Sequence, residues 1–171
     1  EGIRLVEDAL SAGAEMERIL VSPRLSVTAR GRALRRRAEA SRVPVVEATD
    51  HVLDAIVDAE TSQGVVAIVR SPGSELIPPV GAEPGFWVVG WGLQDPGNLG
   101  TLLRTADAAG ADLFLTVPGT ADATAPKAVR ASAGSIFRMP LARGVAPDDL
   151  LDAAQARGVT LYGTDPSEGV P

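Results

Sequence analysis

The chain has no cysteine among its 171 residues. That excludes disulfides and thiolate metal sites, and it fits a reducing, cytoplasmic compartment. It has one histidine, His51, so a Ser-His-Asp triad would have to recruit that residue, for which a surface or capping place is the better reading. No group of residues has metal-ligand spacing, and no metal is expected. No apolar run approaches the roughly 18 residues that cross a bilayer, so no membrane partner is expected either. A dinucleotide fingerprint G-x-G-x-x-G is missing, as is a P-loop. Aromatic residues make up only 4% of the chain, which leaves Val, Leu, Ile and Ala to do most of the packing.

Apolar residues at 45% are ample for a core. A net charge of −6 argues against bulk, non-specific nucleic-acid binding. The distribution is more informative. Residues 1–70 carry ten Lys/Arg against eleven Asp/Glu, and residues 71–171 carry six against eleven. Six arginines fall between positions 30 and 42 (Arg30, Arg32, Arg35, Arg36, Arg37 and Arg42), with Glu39 alone opposing them in that stretch. Either this is an ordinary exposed helix face or it grips RNA backbone. Charges so dense repel one another and call for a counter-charge, which favours RNA.

Periodicity predicts alternating helices and strands throughout. In the first part, helices are expected over Gly2–Ala12, Val27–Ser41 and His51–Asp58. The last is read with Asp50 as its N-cap and with Val52, Ile56 and Val57 facing inward. Strands are expected at Arg18–Val21, Val43–Ala48 and Gly64–Arg70. The reading is a small N-terminal α/β/α sandwich over residues 1–70. Residues 71–84 hold four of the thirteen prolines and read as a linker. The alternation then restarts, giving a domain over residues 85–171. Strands are expected at Phe86–Trp91, Leu113–Val117, Ile136–Leu141 and Val159–Gly163, and helices at Leu99–Ala109, Pro126–Ala133 and Pro147–Ala156. Strands separated by helices imply a parallel sheet. The sequence opens without Met inside a helical pattern and stops at Pro171, in a polar loop after a strand, so a further piece of the protein is expected.

The chemistry concentrates in Gln94–Gly110. A buried strand breaks into a loop of Gly, Pro, Asp and Asn and feeds a helix, an arrangement suited to binding phosphate, ribose or carboxylate. Asn98 either orients a substrate hydroxyl or caps the helix, and the residues alone favour capping. Arg104 either binds a phosphate or is solvated and paired with Asp107 three residues on, and spacing favours the ion pair. Farther along, Lys127 and Arg130 can meet phosphates or solvent. The small residues Ala131-Ser132-Ala133-Gly134 allow either a close helix contact or room for a ligand or partner.

The spacing Asn98-x-Gly100-x-x-x-Arg104, inside DPGNLGTLLRTADAAGAD, resembles the first signature motif of the SpoU (TrmH-like) branch of the SPOUT RNA methyltransferases. KAVRASAGSIFRMPL resembles the segment after it. The stretch from EGIRLVEDAL through TSQGVVAIV is similar to the ribosomal-protein-like RNA-binding domain preceding many SpoU domains. The resemblance implies S-adenosylmethionine-dependent methylation of a ribose 2′-hydroxyl in structured RNA, most often ribosomal. It further implies a homodimer through the catalytic domain and a parallel-sheet α/β knot. Arg104 would act at the hydroxyl and its adjacent phosphate, with Asn98 in support. Arg30, Arg32, Arg35, Arg36, Arg37, Lys127 and Arg130 would contact RNA. The family's second and third motifs, which carry most cofactor contacts and complete the knot, are absent from these residues. The main cofactor site is therefore expected beyond Pro171. Gly163 and Thr164 are the remaining cofactor candidates before it, and these 171 residues alone are expected to bind the donor weakly or not at all. Two other readings stand beside this one. One is a cofactor-free RNA-binding module with a degenerate catalytic domain, and the other is a small-molecule α/β enzyme holding a phosphate on the Gln94–Gly100 loop.

Overall fold

In the computed structural model, which describes residues 1–73, Ile77 and residues 85–164, the strands form two separate three-stranded sheets. The first has the order β2-β1-β3, from β1 (Met16–Val21), β2 (Val45–Glu47) and β3 (Val65–Val69). β1 runs parallel to β2 and antiparallel to β3, so this sheet is mixed. Helix α1 (Ile3–Ser11) buries Val6 and Ala9, and α2 (Ala29–Glu39) buries Leu34 and Ala38. Val6, Leu34 and Ala38 pack with Ile19, Val21 and Val65 of the sheet into one apolar cluster. Glycine makes the α2 contact possible, because a Cβ on Gly31 would lie 1.8 Å from the Leu25 carbonyl oxygen. Thr28 caps α2 by accepting the Gly31 N–H.

Helix α3 (Asp50–Ile56) begins one residue earlier than predicted. Its cap is Thr49, whose side chain accepts the Val52 N–H, and not Asp50. A second correction concerns which side of α3 faces in. Leu53 is buried while Val52 and Ile56 are exposed. The predicted apolar stripe skipped the residue between them.

The second sheet has the order β4-β5-β6 and is parallel throughout, from β4 (Trp87–Gly90), β5 (Leu113–Thr116) and β6 (Leu141–Ala142). Helix α4 (Pro96–Ala108) connects β4 to β5, α5 (Pro126–Ala131) lies between β5 and β6, and α6 (Pro147–Ala156) follows. Side chains alternate across a strand, and β5 uses both faces. Phe114 joins Leu99, Leu103, Ala106 and Ile136 on one side, while Leu113 and Leu115 join Trp87, Leu150 and Ala154 on the other. A strand buried on both faces reads as a continuous apolar run, as this one does.

Two predicted strands are corrected. Residues 136–141 do not form one strand. Ser135–Phe137 is a 3₁₀ turn, and pairing starts only at Leu141. The chain turns there through Ala133 (φ 49°) and Gly134 (φ 85°), and Pro140 has no N–H to give to a ladder. Val159–Gly163 is not a strand either. Val159 packs against the core, but Leu161 and Tyr162 are exposed. Within the predicted linker only residues 71–73 and Ile77 are among those described, and Ile77 packs against the β4-β5-α6 core. Among the described residues no helix is long and apolar enough to cross a membrane.

Candidate functional site

The start of α4 is built differently from its sequence expectation. The helix opens at Pro96, and Asp95 is the N-cap, its Oδ1 accepting the Asn98 N–H at 2.9 Å. Proline at the first helical position after a capping aspartate was a readable start signal. Asn98 therefore lies inside the first turn, and the capping reading of its side chain is overturned. That side chain is exposed and makes no hydrogen bond among the described residues. Lys127 reaches over from α5 to place Nζ 2.5 Å from Asp95 Oδ2. The Lys127 bond, followed by the Asn98 N–H, holds the Asp95 carboxyl below its ordinary value.

Gly100 does something other than admit a ligand. A Cβ there would stand 2.2 Å from the Ala128 carbonyl oxygen and 2.9 Å from Ala131 Cβ. The glycine and the small residues of α5 let the two helices touch backbone to backbone. Gly134, in the same small-residue segment, lies against Asp8 of the first unit, whose Cβ would be 2.7 Å from an added Cβ. The segment is used for close packing.

Arg104 does not pair with Asp107. Asp107 Oδ2 instead accepts from Arg138 Nη2 at 2.6 Å. Burial works to raise the Asp107 carboxyl, but hydrogen bonds from Ser135 and Arg138 hold it below its ordinary value. Arg104 is exposed, and among the described residues it makes no hydrogen bond or ion pair. Six residues separate it from Asn98, which on an α-helix is about 9 Å along the axis and roughly 120° around it. The two bracket an exposed face with Thr101 between them. The Thr101 hydroxyl is bonded back to Gly97 O at 2.9 Å. That leaves a carboxamide and a guanidinium, both without a partner among the described residues, on the solvent side of one helix.

The loop before α4 is held firmly. Thr120 Oγ1 donates to Gly90 O (3.1 Å) and accepts from Gly92 N (3.0 Å), so one hydroxyl spans Trp91. Gln94 Nε2 donates to Gly119 O at 2.6 Å and to Gly92 O at 3.2 Å. Nothing in the sequence pointed to Thr120, which lies 28 residues beyond Gly92.

The arginine patch is less free than its sequence suggested. Arg30 bonds Glu7, with its closest approach at 2.5 Å. Arg35 bonds Glu39 at 2.8 Å and also Glu47. Arg32 donates to the carbonyls of Ser26 and Val27, and Arg37 to Ser11 Oγ. The counter-charge that the sequence argument demanded comes from α1 and β2, which folding brings to α2. Among the described residues Arg36 makes no hydrogen bond or ion pair, and it is exposed. Arg130 is also engaged, with Nη1 2.9 Å from Glu1 Oε1 and 3.4 Å from Asp58 Oδ2, tying α5 to the first unit. Beside it lies a cleft of about 410 Å³ between the units, lined by Ile56, Val66, Val69, Val129, Ile136 and Phe137.

Gly163 and Thr164 are the last two residues described. Both are exposed outside regular structure, and a Cβ on Gly163 would meet no atom within 4 Å. Pro171, beyond which the main cofactor site is expected, lies outside the described residues, as do all positions after Thr164.

Comparison with known proteins places this geometry. The model of the SpoU rRNA Methylase family matches residues 85–171, and that of RNA 2′-O ribose methyltransferase substrate binding matches residues 1–74. Among curated proteins, the chain is 33% identical over its full length to the 23S rRNA (guanosine(2553)-2′-O)-methyltransferase RlmP of Bacillus subtilis, spanning 63% of that relative. It is 29% identical over 96% of its length to the 23S rRNA (uridine(2479)-2′-O)-methyltransferase of Streptomyces viridochromogenes, spanning 58% of that one. Among solved structures, the SpoU methyltransferase AviRb from Streptomyces viridochromogenes in complex with the cofactor AdoMet matches with a TM-score of 0.77 and 29% identity, over 92% of this chain and 58% of that one. The chain thus spans less than two thirds of the relatives it matches.

Proposed function

Because the chain belongs to the SpoU rRNA methylase family, we propose that its protein transfers a methyl group from S-adenosylmethionine to a ribose 2′-hydroxyl of structured RNA, with ribosomal RNA as substrate. One observation carries the substrate side of this reading. Of the cations on α4, α5 and the 3₁₀ turn after it, Lys127, Arg130 and Arg138 are all paired, and Arg104 makes no bond among the described residues. A free guanidinium fork is built to take a phosphate.

In this reading Arg104 holds the phosphate next to the target ribose, and the Asn98 carboxamide orients the hydroxyl. A guanidinium with a pKa above about 12 is a poor proton acceptor. The hydroxyl proton therefore leaves to a phosphate oxygen or to water. Rate comes chiefly from positioning the nucleophile. The donor supplies an electrophilic methyl on a sulfonium, and Arg104 and Asn98 act on the substrate side.

The proposal extends to organisation. Residues 1–70 act as the RNA-binding domain, residues 71–84 as linker and residues 85–171 as part of a knotted catalytic domain that pairs as a homodimer in the cytoplasm. The donor is held chiefly by chain that follows Pro171. A second reading is a cofactor-free RNA-binding module with a degenerate catalytic domain.

One assay separates the two. The whole protein is incubated with methyl-tritiated S-adenosylmethionine and unmodified large-subunit rRNA. The RNA is then cleaved by alkali, which a 2′-O-methyl group blocks. Labelled alkali-resistant dinucleotides are expected. RNA binding without transfer would overturn the methyltransferase reading in favour of the module.

A further inference from the structure

The chain spends few aromatics, and it places one of its two tryptophans in solvent. Trp87, on β4, is buried with the Arg157 guanidinium 5.3 Å from its ring centre. Trp91 is 61% exposed. Exposed apolar side chains are common on loops, but this one has an unusual mount. The Thr120 hydroxyl is bonded to the residue before it and to the residue after it. Gly92, at φ +68°, takes the left-handed conformation that lets the backbone turn there. The indole is therefore carried on a fixed backbone at the carboxyl end of β4, the edge where open α/β sheets take ligands. The Asp95 cap of α4 follows four residues later.

Its surroundings select the kind of occupant. Gly92, Gln94, Gly119 and Thr120 knit the loops around it, and none of them offers apolar area. A protein partner would call for a wider apolar patch. A single flat ring amid glycine and amide groups matches one flat π-face, and the helix that follows carries Arg104, which makes no hydrogen bond or ion pair among the described residues.

The geometry points to Trp91 as a stacking platform for an unpaired base of the RNA substrate, next to the ribose held by Asn98 and Arg104. This rests on the RNA reading given above. Stacking on an aromatic ring is sequence-tolerant, because every base has a π-face. Trp91 is thus a binding and positioning residue and takes no part in proton or methyl movement.

The test compares the wild-type protein with Trp91→Ala and Trp91→Phe. Each is titrated with in-vitro-transcribed large-subunit rRNA and, separately, with heparin, a polyanion without bases. The wild type should show quenching of its red-shifted, exposed tryptophan emission by rRNA and none by heparin. Trp91→Ala should raise the dissociation constant for rRNA, and KM over kcat, about tenfold or more, and Trp91→Phe by less than about threefold. Thermal midpoint and sedimentation should be unchanged in both. Wild-type affinity in Trp91→Ala would overturn the platform and leave the RNA reading intact. Weaker binding with slower sedimentation would overturn it too, by assigning Trp91 to a contact between chains. A wild-type protein that binds no rRNA would sink both readings together.

Discussion

Asp95 and Lys127 join the start of α4 to α5 through a contact of 2.5 Å between Oδ2 and Nζ, while Asp95 Oδ1 caps the helix. One carboxylate thus closes two structures. Its pKa lies below the ordinary value in the fold, first through Lys127 and then through the Asn98 N–H. A depressed carboxyl contributes stability that is fully present above its unfolded pKa of about 4 and is lost as pH falls through the lower, folded value. Asp95→Asn should therefore lower the thermal midpoint at neutral pH, and the gap to wild type should narrow as pH falls below about 4. A gap that does not change with pH in the acid range would remove the carboxylate from the account.

Gly100→Ala tests the helix contact. The added methyl would enter the Ala128 carbonyl oxygen, so the helices must separate. The expected cost is about 1–3 kcal/mol or more, as for other overpacked interiors. Chemical denaturation measures it. Stability equal to wild type would mean that the helices yield without strain.

Arg104 should behave in the opposite way. Its side chain is exposed and makes no hydrogen bond or ion pair among the described residues, so Arg104→Ala should alter stability by no more than about 0.5 kcal/mol. Methyl transfer should fall by about 10²-fold or more, and Arg104→Lys should recover little of it, because lysine lacks the fork. A thermal melt beside a transfer assay gives both numbers. Substantial activity in the lysine variant would reduce the residue to a point charge.

The arginine patch divides into engaged and free members, and salt dependence can read the division. Arg36→Ala should weaken rRNA binding and lower the slope of log affinity against log salt by about 0.7–0.9. Arg35 is held by Glu39 and Glu47, so Arg35→Ala should change that slope less and register in the thermal midpoint instead. Equal slopes for the two variants would show that the ion pairs open when RNA binds.

The order of helices and strands was legible wherever periodicity ran long, as in α1, α4 and β5, while the start and cap of α4 differ from their sequence expectation. The family was legible in Asn98, Gly100 and Arg104 together. The sequence misled where spacing offered two partners and tertiary structure chose a third. Asp107 stands three residues from Arg104 but is taken by Arg138, 31 residues away. Glu39 is the near neighbour of the arginine run, yet Glu7 and Glu47 share the work. Strand edges failed for a different reason. Residues 136–141 and 159–163 have strand composition, and whether they pair depends on a neighbour that local pattern does not contain. Thr120 left no mark at all, since a threonine in a loop carries no sign of which distant backbone it will hold.

The strands of the first sheet all fall between Met16 and Val69, before β4 begins at Trp87, and the second sheet grows in sequence order, β4 then β5 then β6. On the ribosome the three described strands of the first sheet therefore emerge before the second sheet begins, and β5 and β6 each meet an edge already made. Nascent chains tend to fold domain by domain from the N-terminus. Among the described residues no strand of either sheet has to wait for one from the other, so synthesis order and pairing order coincide.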